Sequence, residues 1–380
     1  MYQYSDFPWP ESVTEEFPSH RQVAAYLDAY ARHFGVLSCV RFGHRVVGME
    51  YHGIGEQAMA AWEEWAGNDQ AFGSGAGEWR LSVADADGHV ETHKADFVVL
   101  CIGMFSGVPD IPTFPAGKGP EVFDGQVIHS MDYAKMGTSK AKEMIRGKRV
   151  TVVGYMKSAL DIATECAEVN GTAHPCTMVR WAFYKLADSY YSIPMKKHGM
   201  VPDHSLFHAL AAAIICVTPK DHYKRLEEGS IMLKKYKTFS FCKEGVLVEG
   251  EPLPVKSDVV IFGTGFKGDE KIKDMFTSEY FRNVAIGSES TTVPLYSFRL
   301  LNVAAMQKDV LEWEKYMKRY CGRYFRRSSI MIMNTWYNDQ LCRDMGCNPW
   351  RKKGFFSELF EVYGPGDYAN LLSNSKSKEH

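Results

Sequence analysis

A chain of 380 residues is long enough for two domains, or for one domain interrupted by another, around a sizeable core. Hydrophobic residues at 45% and charged residues at 24% exclude a disordered chain, and a net charge of −2 offers no electrostatic reason for a nucleic-acid partner. Nine cysteines without a spaced framework read as free thiols in a reducing compartment. No basic and apolar leader opens the sequence, and the longest apolar run, near residues 206–217, is broken by His208 and too short for a membrane span. The expectation is a soluble, cytoplasmic protein.

In chain order, the aromatic start Phe7-Pro8-Trp9-Pro10 leads into a helix expected from about His20 to His33, with Val23, Leu27 and Tyr30 at helical spacing. A strand-like stretch at 45–51 then meets Gly53-Ile54-Gly55-Glu56-Gln57-Ala58, a G-x-G-x-x-A pattern. Glu56 would aim a carboxylate at any phosphate there, so a surface excursion is the better reading. A hairpin over 79–91 turns at Asp87-Gly88. The apolar run from Asp96 through Phe97-Val98-Val99-Leu100-Cys101-Ile102 to Gly103 predicts a strand buried on both faces. Residues 108–120, rich in proline and glycine, read as a linker.

The most informative stretch is 148–159. A β-branched strand runs into Gly154, crosses Tyr155 and Met156, and opens a helix at Lys157, Ser158 and Ala159. Backbone N–H groups at such a helix start favour a pyrophosphate, so these six residues are the candidate dinucleotide contacts. Gly154 fills the role of the first fingerprint glycine and Ala159 the close-packing third, while Met156 replaces the second. Ala159, Ile162, Ala163 and Cys166 share a helical face, and Gly171 is the expected C-cap. A second short strand, 177–179, ends at Arg180, where an arginine suits a 2′-phosphate and therefore NADP rather than NAD. An ordinary strand–turn–helix without ligand is the alternative.

A buried strand at 258–265 echoes the one at 96–103 and is likewise preceded by a hairpin-like stretch, at 243–254. Residues 304–320 read as an amphipathic helix with Met306, Val310, Trp313 and Met317 on one face. The basic runs at 326–327 and 351–353 read as a solvated face, and Cys342 and Cys347 as structural thiols, with a redox pair as the alternative.

Phe123-Asp124-Gly125-Gln126-Val127-Ile128-His129-Ser130-Met131-Asp132-Tyr133 fits F-x-G-x-x-x-H-x-x-x-[YW]. With the turn at 154–161 and the box Phe262-Gly263-Thr264-Gly265-Phe266, the chain resembles the flavin-containing monooxygenases, most of all their plant branch. From the residues alone His129 is a structural histidine. The resemblance implies a linker motif, Phe123, Gly125, His129 and Tyr133, that couples cofactor movement between domains.

The resemblance implies an α/β fold of two doubly wound, Rossmann-like domains, with the NADP domain inserted in the FAD domain. The expected division is 1–114 for a FAD-domain remnant, 115–250 for the NADP domain and 251–380 for the return of the FAD domain plus C-terminal helices. It implies FAD and NADPH as cofactors, Thr264 and Gly265 lining the flavin side, and O2 and a small nitrogen- or sulfur-containing molecule as partners. The reduced flavin of the family captures O2 as a C4a-hydroperoxide and passes one oxygen to the soft nucleophile, with no catalytic side chain assigned. The family's G-x-G-x-x-G for FAD lies upstream of the stretch matching residues 2–10, and two further stretches, near 179–181 and 296–298, have no counterpart here. A non-catalytic NADP-binding or interaction protein descended from the family is therefore a rival reading, and a pyridine-nucleotide disulfide oxidoreductase a third.

Overall fold

The computed structural model describes residues 3–15, 18–53, 77–102, 107–181, 218–236, 238–267 and 270–286, short pieces at 342–343, 347–352, 354–360 and 365–368, and a few single residues. Two compact units divide the chain. Unit 1 comprises Met1–Val98, Met275–Tyr316 and Ser329–His380; unit 2 comprises Val99–Asp274 and Met317–Ser328. Unit 2 thus interrupts unit 1 in sequence, as an inserted domain does.

In unit 1, helix α1 (His20–His33) starts at Ser19, whose side chain and that of Gln22 cap each other's backbone N–H groups. Its buried face centres on Tyr26, not on Leu27, which is exposed. The N-terminal aromatics decide this: the Tyr26 hydroxyl donates to the Phe7 carbonyl at 2.5 Å and accepts from the Tyr4 N–H at 2.8 Å, and Trp9 stacks on its ring at 4.2 Å. Strands β1 (Arg45–His52), β2 (Glu78–Ala84) and β3 (Val90–Ala95) form an antiparallel sheet in that order. The expected turn lies between β2 and β3, with Gly88 at φ +87. Of the G-x-G-x-x-A stretch, only Gly53, Gly55 and Gln57 are among the described residues.

The run at 96–102 is corrected. It follows β3 without ladder partners, and Phe97 and Val99 are 76% and 70% exposed. A strand of this composition is buried only when neighbours flank it on both sides, and no described strand does so.

In unit 2, strands β4 (Gln126–His129), β5 (Val150–Val153), β6 (Cys176–Trp181), β7 (Ile231–Tyr236) and β11 (Val259–Phe262) make a parallel sheet in the order β4-β11-β5-β6-β7. All four residues of β5 and of β11 are buried, as their unbroken apolar character requires. Helices α2 (Ser130–Lys135), α3 (Thr138–Ile145), α4 (Lys157–Asn170) and α5 (His222–Glu227) belong to this unit. One core packs Ile145, Leu160, Ala163 and Ala167 against Val150, Val152 and Ile261. α4 ends at Gly171, φ +57, the expected cap.

A second helical layer is replaced by a meander, β8 (Phe239–Cys242), β9 (Gly245–Val248) and β10 (Val255–Lys256). Its Phe241, Val246 and Val248 bury Val153, Val260 and Phe262 from the other side. The hairpin-like stretch at 243–254 is part of this cover. The expected division at residue 250 falls between β9 and β10, which share one sheet, and β11 lies beside β5 rather than in a separate domain. The amphipathic stretch at 304–320 lies outside the described residues except for Lys315.

Asp258 staples the entry of β11 to that of β5. Its carboxylate accepts from the Arg149 N–H at 2.8 Å and from the guanidinium at 2.6 Å. That guanidinium holds the Asp258 carboxyl down at about 2. The unfolded value is about 3.9, so the pair contributes fully above about pH 4 and its contribution is lost as pH falls towards 2. Asp258→Asn is therefore expected to flatten the loss of stability between these limits, read as urea midpoints at a series of pH values. Midpoints of the two proteins that fall in parallel would show that the pair contributes nothing.

The solvated reading of Arg351 and Lys352 is also corrected; Lys353 lies outside the described residues. Arg351 is 1% exposed at its side chain and donates to Asp339 at 2.9 Å and to the Cys342 sulfur at 3.2 Å. Its guanidinium lies over the rings of Tyr363 and Tyr368 at 4.2 and 4.8 Å. Lys352 is nearly buried and pairs with Asp367 at 3.1 Å. Charge repetition suggested a wet face, but the carboxylates and rings that receive these cations are distant in sequence. Cys342 and Cys347 are buried, as are Cys166 and Cys176.

Candidate dinucleotide site at the C-terminal edge of the parallel sheet

Every parallel strand delivers its C-terminal end to one edge. Chain order runs from β5 outward through β6 to β7 and then returns to β11 on the other side of β5. The order reverses between β5 and β11, and such a switch point opens a crevice where ligands bind in open α/β sheets.

Gly154 ends β5 with φ +134, a conformation side chains rarely adopt. A Cβ added there would come within 2.4 Å of the Gly263 carbonyl oxygen, and the Gly263 N–H donates to the Val153 carbonyl at 2.8 Å. Ala159, fully buried, sits where a Cβ on Gly263 would lie 2.9 Å from its own. Gly154, Gly263 and Ala159 thus bring β5, β11 and α4 to near contact, the close packing expected of the third fingerprint position.

Met156 occupies the N-cap in an extended conformation and caps nothing with its side chain. The first intrahelical bond of α4 runs from the Leu160 N–H to the Met156 carbonyl, so the N–H groups of Lys157, Ser158 and Ala159 have no partner within the helix. No acidic side chain occupies the first turn. Lys157 and Ser158 are exposed, and the Lys157 ammonium bonds to Asp161 one turn on. Tyr155 and Met156 are half-buried. A 14-residue helix with an uncapped start at a switch point fits an anion such as a pyrophosphate.

The 123–133 motif enters β4 at the opposite edge and reaches this one at His129. Phe123 is buried beneath the sheet with its ring 5.8 Å from that of Phe241. At Gly125 a Cβ would fall 2.3 Å from the Phe123 ring and 2.5 Å from the Asp258 carbonyl oxygen, so only glycine fits. His129 ends β4 in register with Phe262 and caps α2, its Nδ1 accepting from the Met131 N–H at 3.2 Å. Burial pushes its pKa down, against the opposing pull of the Gly265 carbonyl, Asp132 and Asp110. The ring is therefore neutral with its proton on Nε2, and that buried atom has no hydrogen-bond partner among the described residues. The Phe266 ring meets it edge-on at 5.4 Å. Tyr133 donates to Glu165 of α4 at 3.0 Å, and burial together with Cys166 and Glu165 pushes its phenol far above the usual range.

Thr264 and Gly265 continue from β11, with Gly265 at φ +88. The Thr264 hydroxyl donates to the Asp110 carbonyl at 2.5 Å, the Asp110 N–H to the Gly265 carbonyl at 3.0 Å, and the Lys267 N–H to the Val108 carbonyl at 2.9 Å. The 108–110 linker is thereby zipped to the segment expected at the flavin side. Arg180 lies at the end of β6, paired in register with Lys235 of β7. The structure thus gathers Gly154, Ala159, Arg180, His129, Thr264 and Gly265 on one sheet edge, although 51 to 136 positions separate many of them in sequence; Asp110 and Lys235 escaped the sequence reading because register alone brings them there.

A family profile described as flavin-binding monooxygenase-like matches residues 1–198, a span that holds the whole 123–133 motif, the Gly154 turn and β6. The probable flavin-containing monooxygenase 1 of Arabidopsis thaliana is 30% identical over 97% of this chain and 86% of its own length. The chain belongs to the flavin-binding monooxygenase-like family.

FAD and NADPH are the cofactors that go with this family of flavin-dependent oxidoreductases. The Arabidopsis alignment runs over 467 positions against a chain of 380, so it opens gaps opposite stretches of the relative. The putative flavin-containing monooxygenase 2 of the same plant is 34% identical over 72% of this chain and 62% of its own length. Among solved structures, S-allyl-L-cysteine S-oxygenase from Allium sativum superposes with a TM-score of 0.49 at 15% identity, over 99% of this chain and 76% of that one. No described helix is long and apolar enough to cross a membrane. Asp85, Asp87 and His89 form the only described group with metal-ligand spacing, and there Asp85 accepts from the N–H groups of Asp87 and His89 to shape the hairpin turn.

Proposed function

We propose that the chain is a plant-type monooxygenase that spends NADPH and O2 to oxygenate a soft nitrogen or sulfur centre of a small molecule. The single observation that carries this reading is the uncapped α4 start at the β5–β11 switch point, in a chain with the family's 123–133 motif. One oxygen atom goes to the substrate, the other leaves as water, and NADPH supplies the two electrons. When bound, the flavin and the coenzyme supply the redox chemistry between them.

The residues here bind and orient. The N–H groups of Lys157, Ser158 and Ala159 hold the pyrophosphate, and Gly154 lets it approach the β5 end. Arg180 takes the 2′-phosphate. His129, neutral and with Nε2–H buried at the β4 end, offers a donor to whatever occupies that edge, and Tyr133 fixes its helix to α4. Thr264 and Gly265, held by the 108–110 linker, line the flavin side.

A second reading, an NADP-binding protein without catalysis, is favoured by the stretches of the Arabidopsis relative that face gaps in this chain. One experiment separates them. The purified chain is mixed with FAD, NADPH and a thioether, and NADPH consumption and sulfoxide are measured beside direct NADPH titration. Binding with consumption and sulfoxide is the expected result. Binding without consumption establishes the second reading, and no binding at all overturns both.

A further inference from the structure

The chemistry proposed above uses neither Cys342 nor Cys347, yet their surroundings differ from those of inert core thiols. Cys342 is 2% exposed and Cys347 7%. The Cys347 N–H donates to the Cys342 carbonyl at 2.7 Å. With that contact fixed, bond lengths hold the two Cα atoms within about 6.6 Å, inside the roughly 4.4–6.8 Å that a disulfide bridges.

The Arg351 guanidinium donates to the Cys342 sulfur at 3.2 Å, and its side chain is 1% exposed, so little water screens its charge. Asp339 takes another of its N–H groups at 2.9 Å, and the buried Nε–H has no acceptor among the described residues. A neutral thiol is a weak acceptor, whereas a thiolate beside a guanidinium is the nucleophilic form of cysteine. The same guanidinium retains a donor with which to meet an anionic oxygen. Cys166 and Cys176 provide the contrast within the molecule. They are fully buried, and the hydrogen bond from Cys176 together with burial pushes the Cys166 thiol up.

We propose that Cys342 is a peroxide-reactive thiol and Cys347 its resolving partner, and that the two form a reversible disulfide. Burial of both sulfurs selects an oxidant as small as hydrogen peroxide over a bulky disulfide. The Cys342 thiolate attacks one peroxide oxygen: the S–O bond forms, the O–O bond breaks, and the departing hydroxide takes up the proton the thiol gave up. The Cys347 thiol then attacks the sulfenic acid sulfur: the S–S bond forms, the S–O bond breaks, and water leaves with the Cys347 proton. Two thiols thus pass two electrons to one hydrogen peroxide, giving one disulfide and two waters.

The test uses the full chain, fully reduced. It is exposed to hydrogen peroxide, denatured, alkylated and digested, and each cysteine is followed by mass spectrometry. Cys342 is expected to react about tenfold or more faster than Cys166 and Cys176, the worth of one hydrogen bond to a charged group. It should appear as a peptide cross-linked to Cys347 that dithiothreitol releases. Cys347→Ser should instead leave a sulfenic acid at Cys342, trapped by dimedone, and Cys342→Ser should leave Cys347 reduced. Oxidation of Cys342 no faster than that of Cys166 and Cys176, or without a link to Cys347, would overturn the assignment. The unsubstituted protein decides both points, so the answer does not depend on the variants' folding.

Discussion

Gly154→Ala is expected to destabilise unit 2 by on the order of 3 kcal/mol and to abolish NADPH binding. The added methyl group has two costs. It must hold φ near +134, and it must push the Gly263 carbonyl oxygen back from 2.4 Å. The obstacle is backbone, not the end of a flexible side chain, so relief requires β5 and β11 to part. Those are neighbouring inner strands, joined through residues 259–262 and 150–153, and the crevice between them is the proposed coenzyme site. Urea unfolding followed by far-ultraviolet circular dichroism reads the stability, and fluorescence titration with NADPH reads the site. A variant with parental NADPH affinity would place the coenzyme elsewhere.

Arg351→Met is expected to cost unit 1 about 3–5 kcal/mol, the usual penalty for leaving one partner of a buried ion pair alone. Asp339 loses its guanidinium, and the Tyr363 and Tyr368 rings lose the cation they cover. The double variant Arg351→Met, Asp339→Asn should recover part of that loss, because it removes the stranded charge as well. Thermal melts of the two singles and the double measure the coupling. Additive losses would mean that Arg351 acts through its rings and the Cys342 sulfur rather than through Asp339.

Local pattern made much of unit 2 legible. β5 and β11 are short, β-branched and bounded by glycine, and α4 has small apolar residues at helical spacing followed by a glycine cap. Those signals are local, and the structure has all three elements, with β11 ending at Phe262 rather than at 265. What escaped was set by partners far away in the chain. Apolar character at 96–102 predicted a core strand, but burial depends on flanking strands that no local pattern reveals. The meander over the second sheet face was seen only as a hairpin, since nothing at 239–256 says which surface its phenylalanine and valines will cover. Arg351 looked like solvent-facing charge because Asp339, Tyr363 and Tyr368 had to converge before its burial had a cause. In the site, the Gly154 turn was readable from the strand, glycine and helix around it, whereas the neighbourhood of Arg180 and Lys235 exists only through register.

Gly125, locked between an aromatic ring and a carbonyl, has a mechanical consequence. From Phe123 to Tyr133 the motif is pinned at three points: under the sheet by Phe123, along β11 by its ladder, and to α4 by Tyr133. A segment fastened in this way transmits displacement without bending. Any bend within residues 123–133 would have to break one of these three attachments.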